Sequence, residues 1–306
     1  MHPVDLVQLR TFIATAEEQN LTKAAERLHL SLSAASAHIK AVEQNLGVQL
    51  FNRINRSLEL SPHGEVLLSR AKALLNDAST FSSYARSLSD RVCGRVAVSS
   101  IADPADSRIG AIAATVLKQH PLVKMTVHIR HAMGTTEGLK TGELDLGMTL
   151  GEAIDPALSY IHLTTFRYRV VGPITWRDRV EDAELASLAM APWIAFTDKH
   201  LAYPKILERL FSGHEFENNV VARTDNHMLA RAMAESGIGL TLLPEPRAFD
   251  SERAGLLCIS RKAIAEYDFF VAYLRNREND PLIGAVIGAI KKIWPTARPT
   301  RRLDTE

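Results

Sequence analysis

The chain has 306 residues, with 36 Lys and Arg against 35 Asp and Glu for a formal charge of +1, and 46% of it is apolar. That length accommodates two or three domains with cores of their own, and the even charge excludes nucleic-acid binding through a bulk positive field. Two cysteines, Cys93 and Cys258, do not make a disulfide framework; no Cys/His group has zinc spacing, no apolar run is long enough for a membrane span, and the opening Met-His-Pro-Val-Asp does not read as a signal peptide, which points to the cytoplasm, with no cofactor and no membrane partner.

A first helix is predicted over 5–19, its Leu6, Leu9, Phe12, Ile13 and Ala16 forming one apolar face. Two helices joined by a tight turn follow over 20–47. The first opens at Asn20 or Thr22 and carries Ala24, Ala25 and Leu28 on one side; Leu30 then ends the turn in the core. The second starts at Ser31, buries Ala35, Ile39, Val42 and Leu46 at spacings of four, three and four, and stops at Gly47. Its opposite face presents Leu32, Ser33, Ser36, Ala37 and Lys40, small or polar side chains that leave the helix slim enough for the major groove of B-DNA. Residues 50–51 and 58–60 alternate like a short β-hairpin around 52–57, a wing that carries Arg53 and Arg56 within reach of phosphates or the minor groove; the plain alternative for both is a solvated surface arginine.

Ser61-Pro62 is a helix start, an N-cap with proline in the first turn, and beyond Gly64 no breaker intervenes until about residue 91. Leu67, Leu68, Ala71, Leu74, Leu75, Ala78, Phe81 and Leu88 recur along it at helical spacing, a stripe too long for a small domain to cover. A second copy of the chain is its natural partner, and packing within one chain is the alternative. From 93 the texture becomes α/β: strands over 95–101, 123–129 and 144–149 alternate with helices over 108–119 and 135–141. A second such unit has strands over 168–171, 193–196, 220–223 and 239–243 and helices over 203–211 and 228–236, and a strand over 267–274 and a helix over 281–293 close the chain. The tail over 296–306 reads as disordered.

The run Leu9-x-x-Phe12, Thr22-x-Ala24-Ala25-Glu26-Arg27-Leu28, Ser31, Ser36, Ile39, Val42-Glu43, Leu46-Gly47-Val48-x-Leu50-Phe51-x-Arg53, Arg56, Leu60-Ser61-Pro62-x-Gly64-Glu65 resembles the N-terminal winged helix-turn-helix of LysR-type transcriptional regulators. The segments 142–147 and 234–244 resemble marks of the same family's effector-binding domain, so the resemblance covers about residues 5 to 295. It implies an α plus α/β architecture: a winged helix-turn-helix over 1–60, a linker and dimerisation helix over 61–91, and a two-lobed α/β effector domain similar to type 2 periplasmic binding proteins. Lobe I of that domain takes 92–163 and 268–295, and lobe II takes 164–267. It implies double-stranded DNA with an inverted-repeat operator as partner, a homodimer through the long helix with a tetramer left open, a small-molecule effector, and RNA polymerase as a possible further partner. DNA contacts would come from Thr22, Leu32, Ser33, Ser36, Ala37, Lys40, Arg53 and Arg56. The family usually carries Gln-Pro where this chain has Leu32-Ser33, and Arg where it has Ala37, so a standard operator does not follow.

Ligands of open α/β sheets sit beyond the carboxyl ends of strands, where helix N-termini favour anions. That rule selects Ser99, Ser100 and Ile101 after the first strand, Thr135 opening a short helix, Thr197 with His200, and Asn226 with His227. Each hydroxyl has the alternative of a plain helix cap, and each histidine that of a surface residue. The stretch between Met133 and Gly142 is about one helical turn shorter than the family's. Enzyme readings fail, since there is no Gly-x-Ser-x-Gly, Walker loop, His-Glu-x-x-His or dinucleotide fingerprint. Two other readings stay open: a ligand-sensing module whose DNA binding has decayed, and an enzyme on the periplasmic-binding fold, for which fold analogy alone speaks.

Overall fold

The computed structural model describes residues 5–54, 57–87, 92–101, 103–197, 202–214 and 219–300. Local capping lays out its N-terminal unit. In α1 (Leu6–Glu18) the Asp5 carboxylate accepts from Val7 N at 2.7 Å, and in α2 (Leu21–Arg27) Asn20 Oδ1 accepts from the amides of Thr22 and Lys23. The helix α3 (Leu32–Leu46) starts with Ser31 Oγ accepting from Ala34 N and ends at Gly47, whose φ of 68° is the left-handed turn that suits glycine. Leu9, Phe12, Ile39, Val42, Leu50 and Phe51 close the core, the rings of Phe12 and Phe51 edge to face at 5.6 Å, while Leu30 is only half-buried. The strands β1 (Phe51–Ile54) and β2 (Ser57–Leu60) pair antiparallel, and Glu43 Oε1 accepts from Leu50 N at 2.8 Å, which fixes this wing to α3.

The long helix α4 (Pro62–Ser87) begins as the sequence predicts, with Ser61 Oγ accepting from Gly64 N at 3.0 Å. Gly64 has to be bare, because a Cβ there would lie 2.1 Å from Leu50 O. The apolar stripe divides between two faces. Ala71 is buried, and Leu67, Leu68 and Leu75 are half-buried against the N-terminal core, whereas Val66, Leu74 and Phe81 are exposed, Phe81 by 74%. Part of the predicted dimer stripe thus serves the chain's own core; Leu88 lies outside the described residues.

The remainder is α/β, in the order β3 (Gly94–Ser100), α5 (Pro104–Ser107), α6 (Ile109–Gln119), β4 (Val123–Ile129), α7 (Ala132–Thr141), β5 (Leu146–Leu150) and β6 (Leu158–Pro173). Then come α8 (Arg177–Val180), α9 (Leu185–Ala189), β7 (Trp193–Phe196), α10 (Ala202–Leu210), β8 (Val220–Thr224), α11 (His227–Glu235), β9 (Thr241–Pro244), α12 (Glu245–Arg253), β10 (Leu257–Leu274), α13 (Pro281–Ile293) and β11 (Arg298–Pro299). One sheet runs β4-β3-β5-β10-β6-β11, with β3 parallel to β4 and β5, and β9 pairs with the far half of β6. Parallel β7 and β8 reach it through a bridge from Trp193 to Leu240. Two lobes result. One has its core around Val98, Ile112, Phe269 and Ile283, the other around Trp193, Tyr168, Phe211 and Leu240. The antiparallel pair β6 and β10 runs through both, with register shifts between Ile259 and Ile264 and between Phe269 and Phe270.

Several expectations need correction. The last strand extends over 18 residues rather than eight, and β6 over 16 rather than four, because each serves one lobe at either end and its burial pattern changes midway. The short helices α5, α8, α9 and α12 are absent from the elements that the sequence predicts. The tail is ordered as far as residue 300, since Thr296 Oγ1 donates to Leu163 O at 2.6 Å and β11 adds to the edge of β6; 301–306 lie outside the described residues. A buried ion cluster ties the first lobe together. Arg277, 5% exposed, donates to Asp145 Oδ1 and Asp280 Oδ2 at 2.6 Å each, while Asp145 Oδ2 accepts from Ala97 N of β3 and Asp280 caps α13. Arg277→Leu strands two buried carboxylates, so it should cost the α/β unit about 3–5 kcal/mol in denaturant unfolding, where an exposed ion pair would cost under about 1 kcal/mol.

Candidate nucleic-acid interface and inter-lobe cleft

Buried Ala35, Ile39 and Val42 fix the roll of α3, and everything opposite them faces out. Leu32, Ser33, Ala37 and Lys40 are exposed and Ser36 is half-buried, so the five predicted readers share one face; Thr22 is exposed in the first turn of α2. His38 belongs elsewhere, its Nδ1 sitting 2.9 Å from Thr11 Oγ1 of α1. Arg27 is likewise engaged, with Glu17 at 2.9 Å and Glu18 at 3.2 Å, whereas Lys40 has no ion-pair partner among the described residues. Arg53 lies on β1 with its Cα paired to Leu58; Arg56 falls outside the described residues. A lysine between small residues on a helix of this slimness can reach a base edge or a phosphate.

The predicted effector residues divide. Ser99 and Ser100 do not open into a cleft. They are fully buried at the end of β3, with Ser99 Oγ 2.9 Å from Thr135 Oγ1 and Ser100 Oγ donating to Ser107 Oγ at 2.8 Å. Thr135 does not open a helix either. It lies in the second turn of α7, which starts three residues earlier because His131 Nδ1 accepts from Gly134 N and supplies the cap. A Cβ on Gly147 would come within 2.1 Å of Thr135 Cγ2 and 2.8 Å of Ser99 Oγ, so the pair is packed on the bare backbone of β5. These hydroxyls staple β3, β5 and α7 together, and Ile101 beside them is half-buried.

Thr197, Asn226 and His227 lie at the carboxyl ends of the second lobe's strands. Thr197 is exposed, its amide donating to Thr224 O at 2.9 Å; Asn226 is exposed and caps α11 by accepting from Met228 N. His227 is 8% exposed and stacks parallel on Tyr203 at 6.2 Å, and burial lowers its pKa against the opposing pull of Asp103. His200 lies outside the described residues.

Facing this group are residues the sequence reading passed over. Arg247 on α12 reaches across to the first lobe, its Nε 3.1 Å and its Nη2 3.4 Å from the oxygens of Asp103, and Nη2 also 3.8 Å from Asp106. Asp103 caps α5 as well, accepting from Ala105 N at 2.9 Å. Burial works to raise the Asp103 pKa, but the Ala105 amide and the Arg247 guanidinium hold it below the ordinary value. Asp106 goes the other way, pushed up to about 6 by burial and then by the charge of Asp103, with Arg247 opposing. Burial also raises Tyr203, which stacks on Phe196 at 4.6 Å and meets Tyr168 edge-on at 5.5 Å. The one available signal was Asp103-Pro104 directly after a strand, an N-cap with proline at the next position. Cys258 is no sensor of this cleft: it is fully buried, its thiol donates to Pro173 O, and burial raises its pKa; Cys93 is half-buried.

Two family models match in succession, the bacterial regulatory helix-turn-helix of the lysR family over 6–65 and the LysR substrate binding domain over 89–294. The chain belongs to the LysR family. Among curated LysR relatives, the transcriptional regulator ClcR of Pseudomonas putida is 28% identical over 80% of this chain and 84% of its own length. XapR of Escherichia coli K12 is 26% identical over 81% and 85%. The fold is that of solved full-length members. A full-length OxyR variant from Pseudomonas aeruginosa gives a TM-score of 0.69 at 19% identity over 99% of both chains, and CbnR in complex with its target DNA gives 0.65 at 18% identity over 94% of this chain and 99% of that one. As a LysR protein the chain is a DNA-binding transcriptional regulator with a C-terminal effector-binding domain, and its relatives are regulators rather than enzymes.

The buried Asp106 carboxyl gives the cleft a pH signature. Because its pKa is raised on folding, its contribution to stability is full below the ordinary carboxylate value and is lost as pH rises through about 6. Asp106→Asn removes that loss. In denaturant unfolding the variant should gain on the wild-type chain between pH 4.5 and 7.5, by on the order of 2 kcal/mol, whereas a pH-independent difference would contradict the assignment.

Proposed function

We propose that two copies of this chain pair along the exposed face of α4 and present two α3 helices to successive major grooves of an inverted-repeat operator. Within each half-site Ser33, Ser36 and Lys40 face the bases, and Leu32 and Ala37 supply apolar contact to thymine methyls, a readout that needs no arginine. Thr22, Arg53 and Arg56 anchor the DNA backbone or the adjacent minor groove. A small molecule between the lobes shifts their relative position, and with it the spacing of the two reading heads in the pair. Segment roles follow the predicted division, with 1–60 reading DNA, 61–91 pairing the chains and the two lobes sensing. The cytoplasm is the compartment this work requires.

The observation that carries the reading is the composition of the outward face of α3: five side chains, none larger than leucine or the reach of one lysine, on a helix rolled by Ala35, Ile39 and Val42. The bare Val66, Leu74 and Phe81 on α4 support pairing, because exposed apolar surface of this kind marks an interface. Passing sheared genomic DNA of the source organism over the immobilised chain tests the proposal. Retained promoter fragments should share one inverted repeat, and a folded, paired protein that retains none at low salt would overturn it. On a retained fragment, Arg53→Ala should weaken binding about equally for all sequences and reduce the salt slope by about one; loss on one sequence with an unchanged slope would remove Arg53 from the backbone.

A further inference from the structure

Beside α4 the chain leaves a cavity of about 1120 Å³, and none of the described effector candidates lines it. One wall is α7 with the end of β5, a second is α10 of the other lobe, and a third is Ser69, Arg70 and Ala73 of α4. That third wall belongs to the DNA-reading unit. Ala71 is buried in the core of that unit, and Lys72 pairs with Glu17 of α1 at 2.9 Å. The helix α4 also meets the first lobe directly, since a Cβ on Gly142 would lie 2.5 Å from Asn76 Cβ.

Two hydroxyls in the lining are poorly bonded. Tyr267 is 5% exposed, and its hydroxyl lies 3.3 Å from where a Cβ on Gly151, itself a lining residue, would stand. That hydroxyl has no hydrogen-bond partner among the described residues. Buried Thr149 donates only at 3.5 Å, to the carbonyl of Leu150 beside it. Buried polar groups are normally hydrogen-bonded, so hydroxyls left in this state on a cavity wall point to a polar group from outside the chain. Met133 and Ile154 add exposed apolar surface to the same cavity, which marks a ligand with an apolar body.

The charges narrow the class further. Lys140 is matched by Asp155 at 2.6 Å and Arg209 by Glu152. Two cations, Arg70 and Lys205, and two carboxylates, Glu137 and Glu208, line the cavity with no ion-pair partner among the described residues. A simple anion would leave the two carboxylates facing it, and a simple cation the two basic groups. We propose that this cavity is a second small-molecule site, independent of the effector reading above, and that it takes a zwitterion with an apolar body, the chemistry of a large apolar α-amino acid. Arg70, Lys205 and the Tyr267 hydroxyl hold its carboxylate, Glu137 and Glu208 its ammonium, and Met133 and Ile154 its side chain. Because Arg70 stands on α4, a ligand here bears on the reading unit without any relative movement of the lobes.

The test uses L-phenylalanine as the probe and the full chain. At pH 7.5, 10 mM L-phenylalanine should raise the thermal midpoint by about 2–4 °C, as expected for a site of millimolar affinity in a chain of this size. The half-analogues 3-phenylpropionate, without the ammonium, and phenethylamine, without the carboxylate, should each give less than half that shift. Tyr267→Phe removes a hydroxyl that bonds to nothing in the chain, so it should fold as the wild type does and lose part of the response; adding Arg70→Met should abolish it. No shift with L-phenylalanine, or an equal shift with either half-analogue, overturns the proposal. A full shift that survives the double variant places the probe elsewhere and overturns it too. DNA retention by the wild-type chain judges the regulator and these shifts judge the cavity, so either can fail while the other stands.

Discussion

A helix cannot leave one apolar face in water and still serve as a rigid spacer, and α4 meets that constraint twice. One face, with Ala71 at its centre, is packed on Leu9, Phe12 and Phe51, so the start of the helix is rigidly part of the DNA-reading unit. The other face carries Val66, Leu74 and Phe81 into solvent. Their burial is worth about 1.5–3 kcal/mol for each large side chain covered, and a second copy offers the same face to cover them by two-fold symmetry. The orientation of α3 follows from this arrangement, because Ser61, Gly64 and Leu50 fix α4 to the wing and Glu43 fixes the wing to α3.

At the other end of the chain the coupling between lobes is sparse. The strands β6 and β10 pass from one lobe to the other as an antiparallel pair, interrupted by a register shift at Phe269 and Phe270. A pair of strands can bend and twist there without disturbing either core, since each lobe has its own apolar cluster. Arg247 adds a contact of another kind, polar and reversible, across the cleft opening. Its partners differ in their electrostatic setting: Asp103 is held charged by an amide and the guanidinium, while burial pushes Asp106 towards protonation.

What the sequence disclosed is what is local. Asn20, Ser31, Ser61 and Gly47 mark helix ends because a cap needs only neighbouring residues, and the four-three-four spacing of Ala35, Ile39, Val42 and Leu46 rolls α3 correctly. The candidate DNA face was therefore legible almost whole. The cleft was not. Rules for strand ends selected Ser99, Ser100 and Thr135, but whether a hydroxyl points into a cleft or bonds to its neighbour depends on packing, and here these residues bond to one another or to Ser107. Asp103 and Arg247 are 144 residues apart, and no pattern in one sequence pairs them. Strands β6 and β10 were truncated because the change of buried face near the crossing breaks their alternation.

The claim on which the rest depends is that the working unit contains two chains joined through α4. Sedimentation equilibrium of the full-length protein at micromolar concentration measures it directly. The account predicts a mass of twice 33.8 kDa or a multiple of that pair, falling towards the single-chain value when Leu74 and Phe81 are both replaced by glutamate. A wild-type chain that sediments as a single copy at that concentration, folded and in low salt, would contradict it.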